Sequence, residues 1–212
     1  RRRFDWRRAN PFGAAKSLRA LPGMTRIATV LLLWQIASLV YPMTWSWYAI
    51  AKFGWDSQMI GLSLAAVGVV MAISQSLITG PVVKRLGERN GASLGLAASS
   101  LVFIGYAFAS ESWMAFALMA GLILQSLVQP SLMALISRSA SAHAQGEAQG
   151  IAAMAMGLGN LVAPLVLTGT LAHFTGPSAP FAFSGAAFLV AAAFSLSALV
   201  VLRSGGRVAA PD

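Results

Sequence analysis

The sequence contains no cysteine, which rules out disulfide cross-links and thiolate-held metals together. Histidine is almost missing: His143 and His173 fall in different gaps between apolar runs and cannot share a metal. Charge is scarce, at 10% of 212 residues, where a soluble domain carries about a quarter. So little charge cannot cover a water-facing surface on a chain that is 57% hydrophobic, and lipid is the solvent this composition suits. Acidic side chains number only six. Asp5 and Asp212 lie in the tails, and Asp56, Glu88, Glu111 and Glu147 lie at the boundaries of apolar runs. A proton relay through lipid ordinarily needs a titratable group at depth, and this stretch offers none. Neither a metal nor a cofactor is expected.

What is present is apolar length. A transmembrane helix needs about 20 mostly apolar residues to cross about 30 Å of hydrocarbon. Six segments qualify: Ile27–Ile50, Met59–Gly80, Gly91–Ala109, Met114–Ser137, Gln149–Leu171 and Pro180–Leu202. The gaps between them are short and carry charge or turn residues, as in Lys52–Ser57, Pro81–Asn90, Arg138–Gly146 and His173–Ala179. Ser110–Trp113 is the slightest break, but a single span across it would be implausibly long for a bilayer. The expected fold class is therefore an all-α membrane protein of six transmembrane helices.

The net charge of +9 invites a nucleic-acid reading, which its distribution opposes. Arg1, Arg2, Arg3, Arg7, Arg8, Lys16, Arg19 and Arg26 crowd the start, and Lys84, Arg85, Arg89, Arg138, Arg203 and Arg207 sit in alternate gaps or the tail. The other gaps keep only Lys52. Excess lysine and arginine on one side marks the cytoplasmic face, so both termini are expected inside a multi-pass protein of the cell inner membrane. Residues 1–23 read as a cytoplasmic linker, 24–202 as the six-helix bundle and 203–212 as a cytoplasmic tail. Within the linker, Asn10-Pro11 can start a short amphipathic helix that Pro22-Gly23 stops. That helix either lies on anionic lipid or only fixes topology. The absence of a starting methionine suits a piece of something longer.

Polar side chains inside the spans locate candidate function. In the first span, Gln35, Ser38, Pro42 and Trp45 share one helical face, with Tyr41 at its margin. Trp47 and Tyr48, near the end, fit an interfacial aromatic belt. The fourth span places Gln125 and Gln129 four apart on one face, just before Pro130, and the fifth holds Asn160 and Pro164. These amides serve either as interhelical glue or as cavity lining, and the two roles are compatible. Pro42, Pro130 and Pro164 should kink their helices. Gly91-x-x-x-Gly95 and Gly146-x-x-x-Gly150 have the spacing of close helix contacts.

One stretch is more specific. Gly80-Pro-Val-Val-Lys-Arg-Leu-Gly-Glu-Arg89 resembles the cytoplasmic loop motif of the major facilitator superfamily. Gly54-Trp55-Asp56, Ser74-Gln75, Ile78-Thr-Gly-Pro81, Arg85-Leu-Gly-Glu-Arg89, Gln145-Gly-Glu-Ala-Gln-Gly150 and Ala163-Pro-Leu165 are similar, in order, to the bacterial tetracycline-resistance-type antiporters. The resemblance implies a twelve-helix fold with this chain as its carboxyl half, helices seven to twelve, and a missing N-terminal six-helix half as partner. It implies that the first and fourth spans line a cavity, and that the halves rock to exchange protons for a small-molecule drug. Gln35, Tyr41, Trp45, Gln125, Gln129 and Asn160 are the candidate substrate cavity. Gly80, Arg85, Gly87, Arg89 and Glu147 are the candidate gating loop, with Arg85 or Arg89 pairing Glu147.

Two departures stand out. The family's loop aspartate is Lys84 here, and the aspartate of the tetracycline exporters' third span aligns with Ser99, which supplies no charge for a cationic or metal-chelated drug. Alternatives are solute uptake by the same fold and an inactive half-transporter fragment. An intramembrane serine protease is excluded, since both histidines lie in loops and no Gly-x-Ser-Gly setting occurs.

Overall fold

A computed structural model of the chain describes residues 23–140, 144–176, 179 and 181–205. The linker helix expected at Asn10-Pro11, and most of the basic cluster, lie outside these residues. Every regular element described is helical, and six helices are long and apolar enough to cross a membrane. They are α1 (Met24–Phe53), α2 (Ser57–Leu86), α3 (Glu88–Phe108), α4 (Ser112–Arg138), α5 (Gln145–Thr175) and α6 (Ala186–Ser204).

Proline divides them into two kinds. A proline has no N–H and its ring crowds the carbonyl four residues back, so the helix breaks just upstream. Helix α1 breaks at Leu39, three residues before Pro42, and α4 loosens at Ser126–Leu127, ahead of Pro130. Helix α5 widens into a π-turn at Pro164–Thr168, and α2 does the same at Ser74–Ile78, upstream of Pro81. Helices α3 and α6 contain no proline and run unbroken.

The straight pair forms the spine. Helix α6 packs along α3 and along the first half of α1, α5 runs beside that same half, and α4 lies on α3. Lipid is as apolar as leucine, so association here relies on close fit and small residues. Ala187, Ala191 and Ala198 of α6 are fully buried. A Cβ on Gly95 would stand 2.6 Å from Val128 Cγ2 and 3.0 Å from the Leu124 carbonyl, so α3 and α4 nearly touch there. Above this contact Tyr48, Tyr106, Phe103 and Phe188 pack as a buried aromatic cluster, with the Tyr48 hydroxyl donating to the Tyr106 carbonyl at 2.5 Å.

Several boundaries differ from those expected. The Pro81–Asn90 gap is helical except at Gly87, whose φ of 78° and ψ of 158° reverse the chain in one residue. Helix α6 begins at Ala186 rather than Pro180, because Gly185 sits where a Cβ would be 2.2 Å from the Ala107 carbonyl, so the chain crosses the end of α3 there before it can coil. Tyr48 is not a belt residue, being wholly buried, whereas Trp47 is exposed. Gly146 and Gly150 approach no neighbour, so that spacing marks no contact.

Gly185→Ala must push α3 and the α5–α6 connection apart. It should lower stability in detergent by about 1–3 kcal/mol, as overpacking does, while Gly61→Ala, at an open helical site, should be neutral or mildly stabilising. Thermal unfolding of the two variants side by side checks this.

Candidate functional site

A cavity of about 560 Å³ at mid-length of the bundle is walled mainly by three of the broken helices, α1, α2 and α4. Helix α1 contributes Trp34, Gln35, Ser38, Tyr41, Pro42 and Trp45, and α4 contributes Leu122, Gln125, Ser126 and Gln129. Leu64, Val67, Met71 and Gln75 of α2, Tyr106 of α3 and Met156 of α5 complete the lining. No lining residue is charged. The volume suits a drug-sized molecule, and a largely apolar wall with a few placed polar groups is the usual form of such sites.

The breaks explain why these residues converge. At Leu39 the N–H reaches the Gln35 carbonyl over a long 3.4 Å, and the Ser38 hydroxyl donates to the same carbonyl at 3.1 Å. The bend carries Tyr41 and Trp45 inward, where the Trp45 ring stands 5.3 Å from Tyr106. In α4 the loosened turn turns Gln125 and Ser126 to the same space while both stay buried.

The polar groups are largely engaged with one another. Tyr41 Oη donates to Gln125 Oε1 at 3.2 Å, joining α1 to α4. Gln35 Nε2 donates to Asn160 Oδ1 at 2.9 Å, joining α1 to α5, and a Cβ on the neighbouring Gly159 would meet Gln35 at 2.7 Å. Trp45 Nε1 donates to Ser63 Oγ at 2.9 Å, joining α1 to α2. Gln129 Nε2 makes a weak contact with Met156 Sδ at 3.8 Å. Gln75 makes no hydrogen bond among the described residues and presents its amide freely.

The structure thus brings Gln35, Tyr41, Trp45, Gln125 and Gln129 to one cavity, with Asn160 held behind Gln35 rather than lining the wall. Sequence reasoning missed the α2 wall. Its signal was Ser74-Gln75-Ser76, a polar patch in an otherwise apolar span. Ser99 is fully buried on α3, donates to the Gly95 carbonyl at 2.7 Å and does not reach the cavity.

Among the described residues, no ion pair joins Glu147 to Arg85 or Arg89 in this state. Arg89 Nη2 donates to the Leu202 carbonyl at 2.9 Å and to the Gly205 carbonyl, gripping the end of α6. Arg203 Nε returns to Ser93 Oγ at 3.0 Å, so α3 and α6 are fastened in both directions. A cation there also meets the negative end of the helix dipole. Arg85, Gly80 and Glu147 are exposed. Glu147 sits in the first turn of α5, and the ion pair seen among the described residues joins Glu88 to Arg138 at 3.1 Å. Removing the Arg89 clamp leaves carbonyls of the last α6 turn without their charged donor. Arg89→Gln should cost about 1–2 kcal/mol in detergent melting, in the range for charge-assisted hydrogen bonds. Arg85→Gln should leave the melt unchanged.

Comparison with known proteins agrees with this architecture. Residues 27–211 match the model of the Major Facilitator Superfamily. The chain is 33% identical over 205 residues to the class C tetracycline resistance protein of Escherichia coli, covering 97% of this chain and 50% of that protein. It is 33% identical over 196 residues to the class G tetracycline resistance protein of Vibrio anguillarum, covering 92% of this chain and 49% of that protein. It is 29% identical over 161 residues to hippocampus abundant transcript-like protein 1 of Mus musculus, covering 76% of this chain and 32% of that protein. The chain therefore spans about half the length of the tetracycline resistance proteins it matches. No solved structure matches it significantly. A six-helix bundle with a central cavity, matched over nearly its whole length by one family of membrane transporters, places the chain in the major facilitator superfamily.

Proposed function

We propose that this chain is the carboxyl half, helices seven to twelve, of a secondary transporter that exports drugs or small amphipathic molecules in exchange for protons. The observation that carries this reading is the uncharged, drug-sized cavity walled mainly by α1, α2 and α4, each of which breaks beside it. Interrupted helices around a mid-membrane site are typical of secondary transporters.

Three further features support it. Helices α2 and α5 leave long apolar faces outside the bundle, including Leu62, Val69, Leu77, Leu161 and Leu165. A second six-helix half, seated on the cavity side, would cover part of both and close the cavity. The relatives named as tetracycline resistance proteins favour export over uptake. The excess of basic residues in alternate loops supports both termini lying on the cytoplasmic side of the cell inner membrane.

The substrate class follows from the wall. Trp45, Tyr41 and Tyr106 offer aromatic faces, Met71 and Met156 offer adaptable thioethers, and Gln75, Gln125 and Gln129 offer amides. This half holds neutral or amphipathic aromatic molecules and supplies no counter-charge for a metal chelate. The proton-coupling carboxylate belongs to the other half.

The test is expression of the full transporter in an efflux-deficient bacterium. Extrusion of an amphipathic aromatic dye should depend on the proton gradient and collapse with an ionophore. Gln125→Ala should weaken extrusion by about tenfold, since a buried hydrogen bond worth about 1–2 kcal/mol is lost and Tyr41 is left unpaired. The 212-residue chain expressed alone should extrude nothing, and co-expression of the remaining segment should restore activity. Gradient-driven accumulation of the dye inside the cell, or full activity from this chain alone, overturns the reading.

A further inference from the structure

Helix α2 is attached to the rest of the bundle in an unusual way. Over its whole length the fully buried side chains are Ser63, Ser74 and Thr79, all hydroxyls. Its apolar residues face outward or are only half covered. In lipid such a helix gains little from apolar contact, and interhelical hydrogen bonds average about 0.6 kcal/mol each. A few hydroxyls therefore decide where α2 sits.

Those hydroxyls fall in two groups. Near the start of α2, Ser63 accepts the Trp45 indole N–H at 2.9 Å. Deeper, the π-turn sets Ser74 and Thr79 five residues and one turn apart, with the Thr79 hydroxyl donating to the Ser74 carbonyl at 3.0 Å. Both then meet Ser126 of α4, Ser74 Oγ at 2.5 Å and Thr79 Oγ1 at 3.2 Å. The partner position is itself a defect. At the α4 break the Leu127 N–H turns to the Leu124 carbonyl at 3.1 Å, and the Ile123 carbonyl takes hydroxyls instead, Ser126 at 2.7 Å and Ser74 at 3.1 Å. The π-turn of one helix is thus plugged into the broken turn of the other.

We propose that Ser74, Thr79 and Ser126 form a hydroxyl pivot between α2 and α4, and that the Trp45–Ser63 bond is the catch holding the first section of α2 against α1. This rests on the transport reading above. Trp45 and Ser126 both line the cavity, so an occupant that turns the Trp45 ring releases the catch while the pivot keeps α2 joined to α4. The π-turn has one residue of slack in its hydrogen-bond ladder and takes up the swing. Ser74, Thr79 and Ser126 act as positioning residues.

The absence of cysteine in this chain makes the test direct. In the full transporter with any other cysteines replaced, paired spin labels are placed at Met59 and Trp113, and separately at Lys84 and Ser137. Ser63→Ala should add a longer-distance population to the Met59–Trp113 pair and leave the Lys84–Ser137 pair unchanged. Thr79→Val with Ser126→Ala should broaden both pairs and lower kcat for dye export about tenfold. Thr79→Ser with Ser126→Thr, which keeps the hydroxyls, should restore both readouts. Unchanged distances in Ser63→Ala, or the same broadening of both pairs in all variants, overturns the pivot and catch. If the parent protein moves no dye, the transport reading fails, while the label distances still decide the mechanics.

Discussion

The structure depends on what happens to a backbone carbonyl when a proline removes its partner inside lipid. No water is available there to satisfy it, and an unpaired group costs several kcal/mol. The bundle answers with altered turns, and side-chain hydroxyls add bonds to other carbonyls beside the breaks. Ser38 donates to the Gln35 carbonyl below Pro42, Ser126 to the Ile123 carbonyl ahead of Pro130, and Thr79 to the Ser74 carbonyl ahead of Pro81. Thr168 donates to the Pro164 carbonyl itself. None of these is the carbonyl four residues before the proline, so the hydroxyls brace the altered turns rather than replace the missing N–H.

A division of labour follows. Helices α3 and α6 have no proline to accommodate, so they run straight, approach through alanine and glycine, and are fastened at one end by Arg89 and Arg203. The aromatic cluster around Tyr48, Tyr106 and Phe188 secures the other end. Against that rigid spine the four broken helices can differ in angle without unpacking the core. The cavity lies where the breaks are because a bent helix parts from its neighbours on one side.

Much of this was legible in the residues. Apolar length gave six spans, and the shared face of Gln35, Ser38 and Trp45 with the Gln125–Gln129 pair gave the two walls that α1 and α4 supply. Pro42, Pro130 and Pro164 marked three of the four breaks. Pro81 was placed in a loop, because Lys84, Arg85 and Arg89 made its surroundings look water-exposed. A helix nearing the membrane surface keeps its hydrogen bonds, so α2 continues to Leu86 and only Gly87 turns. The partner of Arg89 was illegible for another reason. Charge complementarity nominated Glu147, but the carbonyls of a helix end carry no mark in the sequence, and α6 brings them to Arg89 only through tertiary packing.

The cavity's chemistry has a consequence for how an occupant acts on the bundle. Its polar groups are bonded across helices: Tyr41 with Gln125 links α1 to α4, Gln35 with Asn160 links α1 to α5, and Trp45 with Ser63 links α1 to α2. A molecule that takes one of these bonded atoms competes with a helix–helix bond, while Gln75, which makes no hydrogen bond among the described residues, is open to it directly. Binding energy is then drawn from the same interactions that set helix angles. A cavity lined by a free carboxylate could bind tightly and leave the helices as they were. Here several of the groups that face the cavity also join the helices around it.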